Sequence, residues 1–240
     1  MVKSKDSILR KFNPKSKITY DCRTLSSNYL IKHIEKSFEV WEKSPWHNQI
    51  NFNQFCNYIL PYRALNEPLS DWNIILYEKY RNLVDTIIDK SILNTTSAIN
   101  LAIASDLQYD NRWVTGGLGV QGIPHMLQTG SGMCDDLAVF GVAAMRSFGI
   151  PSTIDFTIWA RTNMGHAWCV VFNETGKPWS FGPGEQQPGE HIKIFKERKY
   201  RTLGKVFRYT FRVSNESYLK EAKDLIEIPP FFRAKNIVDV

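Results

Sequence analysis

The residues best suited to covalent chemistry lie in "QTGSGMCDDLAVFGVAAMRSFGIPSTIDF", residues 128 to 156, where Cys134 follows a glycine-rich turn and opens an apolar helical run. A thiol at a helix N-terminus faces backbone amides without carbonyl partners and the positive end of the helix dipole. Both favour thiolate over thiol. Asp135 and Asp136 follow at once. They suit a first helical turn, but their charges oppose a neighbouring thiolate, so the helix alone activates Cys134 poorly. A histidine within hydrogen-bond reach would supply the missing cation and shuttle the proton of an acyl transfer.

Five histidines are available: His33, His47, His125, His166 and His191. His33 falls in the first helical pattern and His47 in a polar loop after it, with no local reason for either to meet Cys134. His191 stands in a charged run and is expected to be exposed. His166 differs, because "NMGHAWCVVF" makes it open a strand after a small-residue turn, where its side chain can project from the sheet edge towards a facing helix end. The four cysteines contain no CxxC pair, which leaves a zinc ribbon or a thioredoxin-type motif without support. Cys22, Cys56 and Cys169 are expected as small buried apolar side chains. No metal and no cofactor is expected.

The elements that must position this pair follow from periodicity. Residues 1 to 20 read as a lead-in rich in Lys and Ser. "SSNYLIKHIEKSFEVWEK" spaces Leu30, Ile31, Ile34, Phe38 and Trp41 as one helix after a serine cap. "NFNQFCNYILPYR" gives a shorter helix stopped near Pro61, and "WNIILYEKYRNLVDTIIDK" a longer one. "NTTSAINLAIASDL" gives a fourth, with Thr95 or Thr96 as its cap. The texture changes near Asp110: six glycines within 22 residues predict a long ordered loop. A helix from Cys134 to about Phe148 ends at "GIP". Strands are predicted at 152–160, 166–172, 177–182 and 205–213. Helices followed by an antiparallel sheet make an α+β architecture.

Bulk composition narrows the partners. The 240 residues, 43% hydrophobic and 22% charged, describe a folded globular chain. The net charge of +6 is concentrated near the two ends, and the run at 191–208 reads as the solvated face of strands rather than a nucleic-acid groove, since no recognition motif accompanies it. No apolar run approaches the roughly 18 residues of a spanning helix, so the chain is not expected to span a membrane.

"GSGMCDDLAVFGVAAMRSFGIPSTI", then "GHAWCVVF", then "KPWSFGP" resembles the transglutaminase-like core, a relative of the papain-type cysteine peptidases. The likeness covers roughly residues 110 to 185. The ordered set is far more specific than any one piece. "FCNYILPYRALNEPLSDW" and "IPPFFRAKNIVDV" also resemble segments flanking this core in large Bacteroidetes proteins. The resemblance implies Cys134 as nucleophile and His166 as general base and acid. It also implies an exported, cell-envelope location and further β domains beyond the core. One departure stands out: the family's histidine-holding Asp falls at Gly182, which cannot orient an imidazole. Glu185, three residues on, or Asn173 could substitute, or the triad is incomplete. For the oxyanion, the backbone amide of Cys134 could be joined by Gln128 or by the indole of Trp113.

The expectation is therefore an α+β fold with a helical N-terminal layer (21–109), a transglutaminase-like core (110–215) whose nucleophile helix packs on an antiparallel sheet, and a C-terminal segment (216–240). Its function would be acyl transfer on a peptide or protein amide, as a peptidase or a cross-linker, by a monomer. The alternative is a catalytically degenerate binding module of a cell-envelope protein. Trp113, Trp159 and Trp168 suggest an aromatic-lined groove, and the basic balance an acidic partner.

Overall fold

The computed structural model describes residues 20–111, 120–158, 165–191, 205–212 and 236–240. Among them, helices α1 (Asp21–Thr24), α2 (Ser27–Glu42), α3 (Phe52–Tyr58), α4 (Trp72–Asp85) and α5 (Ile92–Asp106) form the N-terminal layer. Strand β1 (Gln108–Tyr109), helix α6 (Ile123–Thr129), strand β2 (Ser131–Gly132) and helix α7 (Cys134–Arg146) follow. The main sheet comes last: β3 (Ser152–Ile158), β4 (Gly165–Phe172), β5 (Pro178–Phe181), β6 (Val206–Tyr209) and β7 (Ile237–Asp239). Its order is β5-β4-β3-β6-β7 and every pairing in it is antiparallel. The architecture is α+β, as the order of patterns predicts.

Helix α7 is the centre of the molecule. Every residue from Asp136 to Arg146 is buried, which fits a run that is apolar all round rather than along one stripe. One side packs on β4 and β3, the other on α4 and α5. Gly149 ends the helical segment with φ at 68°, a conformation that costs a side chain but not glycine. Trp46 donates its indole N–H to the Gly149 carbonyl at 2.7 Å, tying the N-terminal layer to this exit. Arg146, the last residue of α7, is buried and donates to the carbonyls of Tyr58, Pro61, Arg63 and Ser152 at 2.9–3.1 Å. Those acceptors replace the water that a buried guanidinium loses.

Several boundaries differ from the sequence expectation. Helix α4 stops at Asp85, so Ile87 and Ile88 do not continue its apolar face, and Ile88 is fully exposed. Asp89 and Ser91 intervene: Asn94 donates to the Asp89 carboxylate at 2.9 Å, and the Ser91 hydroxyl accepts the Asn94 amide. These local bonds compete with continued helix and make Ser91 the cap of α5. Thr95 and Thr96 lie buried inside that helix instead. The glycine-rich stretch contains α6, where Pro124 fits the first turn and Ile123 and Met126 are buried. Cys22 is exposed rather than buried, because α1 buries none of its residues. Cys56 is half-buried and Cys169 buried. β7 extends the sheet from within the C-terminal segment. Arg208, read as part of a solvated face, makes a bidentate pair with the buried Asp155 at 2.7 and 2.9 Å. Among the described residues no helix is long and apolar enough to cross a membrane.

Candidate active site

The start of α7 is built by a carboxylate. Asp136 accepts the backbone amides of Met133 at 2.9 Å and Gln121 at 2.8 Å, and the Gln121 side-chain amide at 3.0 Å. It caps the helix and ties residue 121 to it. Gly132 makes room for this cap, since a Cβ there would meet the Asp136 Cβ at 2.6 Å. The run "GSGMCDD" thus serves first to fix where Cys134 begins its helix.

Cys134 is half-buried, and the backbone amides of Ala167 and Asp135 both act to lower its thiol. Ala167 follows His166 directly in β4. Burial first, and then the Asp135 carboxylate, push the thiol up to about 11, against the opposing pull of the two amides. Asp135 acts in the direction its sequence position suggests. Its own carboxyl is raised by burial and by Asp136.

His166 is half-buried and pairs with Thr157 of β3 in the sheet register. Its ring lies 5.2 Å from that of His191, with 26° between their planes, and 5.7 Å from that of Trp168. His191 is 3% exposed, which corrects its reading as an exposed residue of a charged run. The Gln186 carbonyl oxygen accepts from His191 Nδ1 at 2.8 Å, and the Gln186 amide donates to the Glu185 carboxylate at 3.1 Å. Burial first, and then His166, push the His191 imidazole down to about 3.

Residues 81–181 match the family model of the transglutaminase-like superfamily. The solved structure of a candidate cysteine protease from Cytophaga hutchinsonii is similar at 19% identity and a TM-score of 0.38, over 48% of this chain. The chain spans 38% of that protein's length. No curated protein matches.

Continuing the β4–β5 register past Cys169↔Phe181 sets Gly182 opposite Trp168. A side chain at 182 would displace the end of Gln186, since a Cβ there would overlap Gln186 Oε1 and lie 3.2 Å from His191 Nδ1. Glu185 is exposed, in hydrogen-bond contact with Gln186. Asn173 shapes the β4–β5 turn, its carbonyl oxygen accepting the amides of Thr175 and Lys177. Gln128 is exposed on α6, while Trp113 and Trp159 lie outside the described residues. Trp168 is buried with the two histidines. Two adjoining cavities of about 310 and 330 Å³ share Leu65, Tyr209 and Asn236, and Asp135 lines the first of them.

The remaining histidines are structural. His33 is buried, donates from Nε2 to the Leu60 carbonyl at 2.9 Å and accepts the Asn73 amide on Nδ1 at 3.2 Å. His47 packs its ring 4.7 Å from Trp41, and His125 sits on α6. Among the described residues no three His, Cys, Asp or Glu side chains gather as a metal would need.

Proposed function

We propose that the core is a cysteine acyl-transfer domain acting on a peptide or protein amide through Cys134 and His166. The observation that carries this reading is that α7, which Cys134 opens, packs on β4, the strand that carries His166, with the Ala167 amide near enough to lower the Cys134 thiol. His166 would remove the thiol proton as sulfur attacks the carbonyl carbon, and return it to the departing amine as the C–N bond breaks. Water or a second amine would then resolve the thioester, giving a free acid or a new amide. With the thiol held at about 11, Cys134 rests as the thiol, and His166 would act as a general base during attack rather than as the standing partner of an ion pair.

Incubating the protein with a mixed peptide library and with an amine donor plus a glutamine-containing protein tests the reading, each against Cys134→Ala. Cleavage alone indicates a peptidase and amine incorporation a transferase. A binding module is the second reading, favoured by the high thiol pKa and by the absence of a carboxylate at 182. Saturable peptide binding, unchanged in Cys134→Ala and without turnover in either assay, would replace the first reading by the second.

A further inference from the structure

His191 has no part in the acyl-transfer steps above, yet it is among the most enclosed polar groups near His166. Burying a titratable ring is unfavourable unless its polar atoms are held. Gln186 holds one: because its amide group faces Glu185, its carbonyl oxygen faces Nδ1 of His191 and accepts that proton. Gly182 supplies the space, since any side chain there would displace Gln186 and press on His191. The His191 ring then lies over His166 at 26°, and Trp168 approaches both rings, 5.7 Å from His166 and 5.2 Å from His191.

We infer that His191 is the positioning residue of His166: gripped by Gln186 in the space left at Gly182, its ring works with the Trp168 indole to fix the plane of the His166 imidazole. The inference rests on His166 being the working base of the site. A flat neutral ring can do by contact what an acidic side chain does by hydrogen bonding, namely remove the rotational freedom of the base before reaction. His191 suits this because burial keeps it uncharged down to about pH 3. An imidazolium formed at 166 therefore meets an aromatic face and not a second positive charge.

The test reads the ring itself. In protein carrying ¹³C-labelled histidine, the His166 signal is assigned by its loss in His166→Gln. Wild-type protein should show a ring-current displacement of that signal and rigid relaxation, with an order parameter near about 0.85. His191→Ala should reduce the displacement to the part that Trp168 causes and bring the order parameter below about 0.6, while His191→Phe, which keeps a flat ring in the slot, should restore both. Should His191→Ala fail to fold, Gln186→Leu removes only the grip and is expected to loosen His166 in the same direction. A His166 ring unchanged in folded His191→Ala or Gln186→Leu would overturn the inference, as would His191→Phe behaving like His191→Ala. Because these signals do not depend on turnover, silence in the peptide and amine assays would sink the acyl-transfer reading alone.

Discussion

Cys134 illustrates how a residue's position and its environment can pull in opposite directions. The helix start and the Ala167 amide favour the anion, but burial and Asp135 outweigh them and hold the thiol at about 11. Against a free thiol near 8.5, that leaves on the order of a hundredfold less thiolate at pH 7.5. Iodoacetamide mapping by mass spectrometry should therefore find the exposed Cys22 labelled before Cys134 at pH 7.5, with labelling of Cys134 still rising above pH 9. Asp135→Asn removes the second cause of the shift and should speed labelling of Cys134 several-fold at pH 8; an unchanged rate would mean burial alone sets the thiol. The places of Cys134 and His166, at the start of α7 and near the start of β4, were legible in the sequence because each follows a glycine-containing stretch. His191 was not, since its burial depends on space at Gly182, and "HIKIFKERK" carries the charge pattern of a solvated face.

At the scale of the element, α7 is held at both ends by charged side chains acting on backbone groups. Asp136→Ala should cost about 2 to 4 kcal/mol by urea denaturation, because it removes a helix cap and leaves the buried Gln121 amide unsatisfied. Arg146→Met should cost at least about 3 kcal/mol, since several enclosed carbonyls lose their donors together. Arg146→Lys should recover little of it: one ammonium cannot reproduce a planar fork that reaches Tyr58, Pro61, Arg63 and Ser152. Equal midpoints for Arg146→Lys and the wild type would show that charge alone suffices. The helix itself was easily read, as were the strands flanking it, because long apolar runs bounded by glycine and proline leave few alternatives. Helix caps were harder. Ser91 caps α5 ahead of the more conspicuous Thr95 and Thr96, and three-residue β7 is too short to carry a period of its own.

For the whole molecule, the buried histidines His33 and His191 contribute to the response to acid. His33, enclosed by the rings of Tyr29, Tyr62 and Trp72, is pushed down to about 4, chiefly by burial. The unfolded chain takes up that proton near 6.5 while the folded chain refuses it until about 4. Between those values the unfolded state binds more protons, so stability is complete above about pH 6.5 and falls as pH drops towards 4. The loss from His33 is on the order of 3 kcal/mol, and His191 adds a second proton in the same window. Thermal melts between pH 7 and 4.5 should show this slope, and His33→Gln should flatten it while lowering the plateau; an unaltered slope would place the acid sensitivity elsewhere. Arg146 also bears on how this protein can be inherited or engineered. The segment 81–181 that matches the family contains the arginine but not Tyr58, Pro61 or Arg63, whose carbonyls receive it. A gene fusion or chimera that moved that segment alone would leave Arg146 only the Ser152 carbonyl of its four acceptors, whereas a crossover upstream of Tyr58 moves the cation together with all of them.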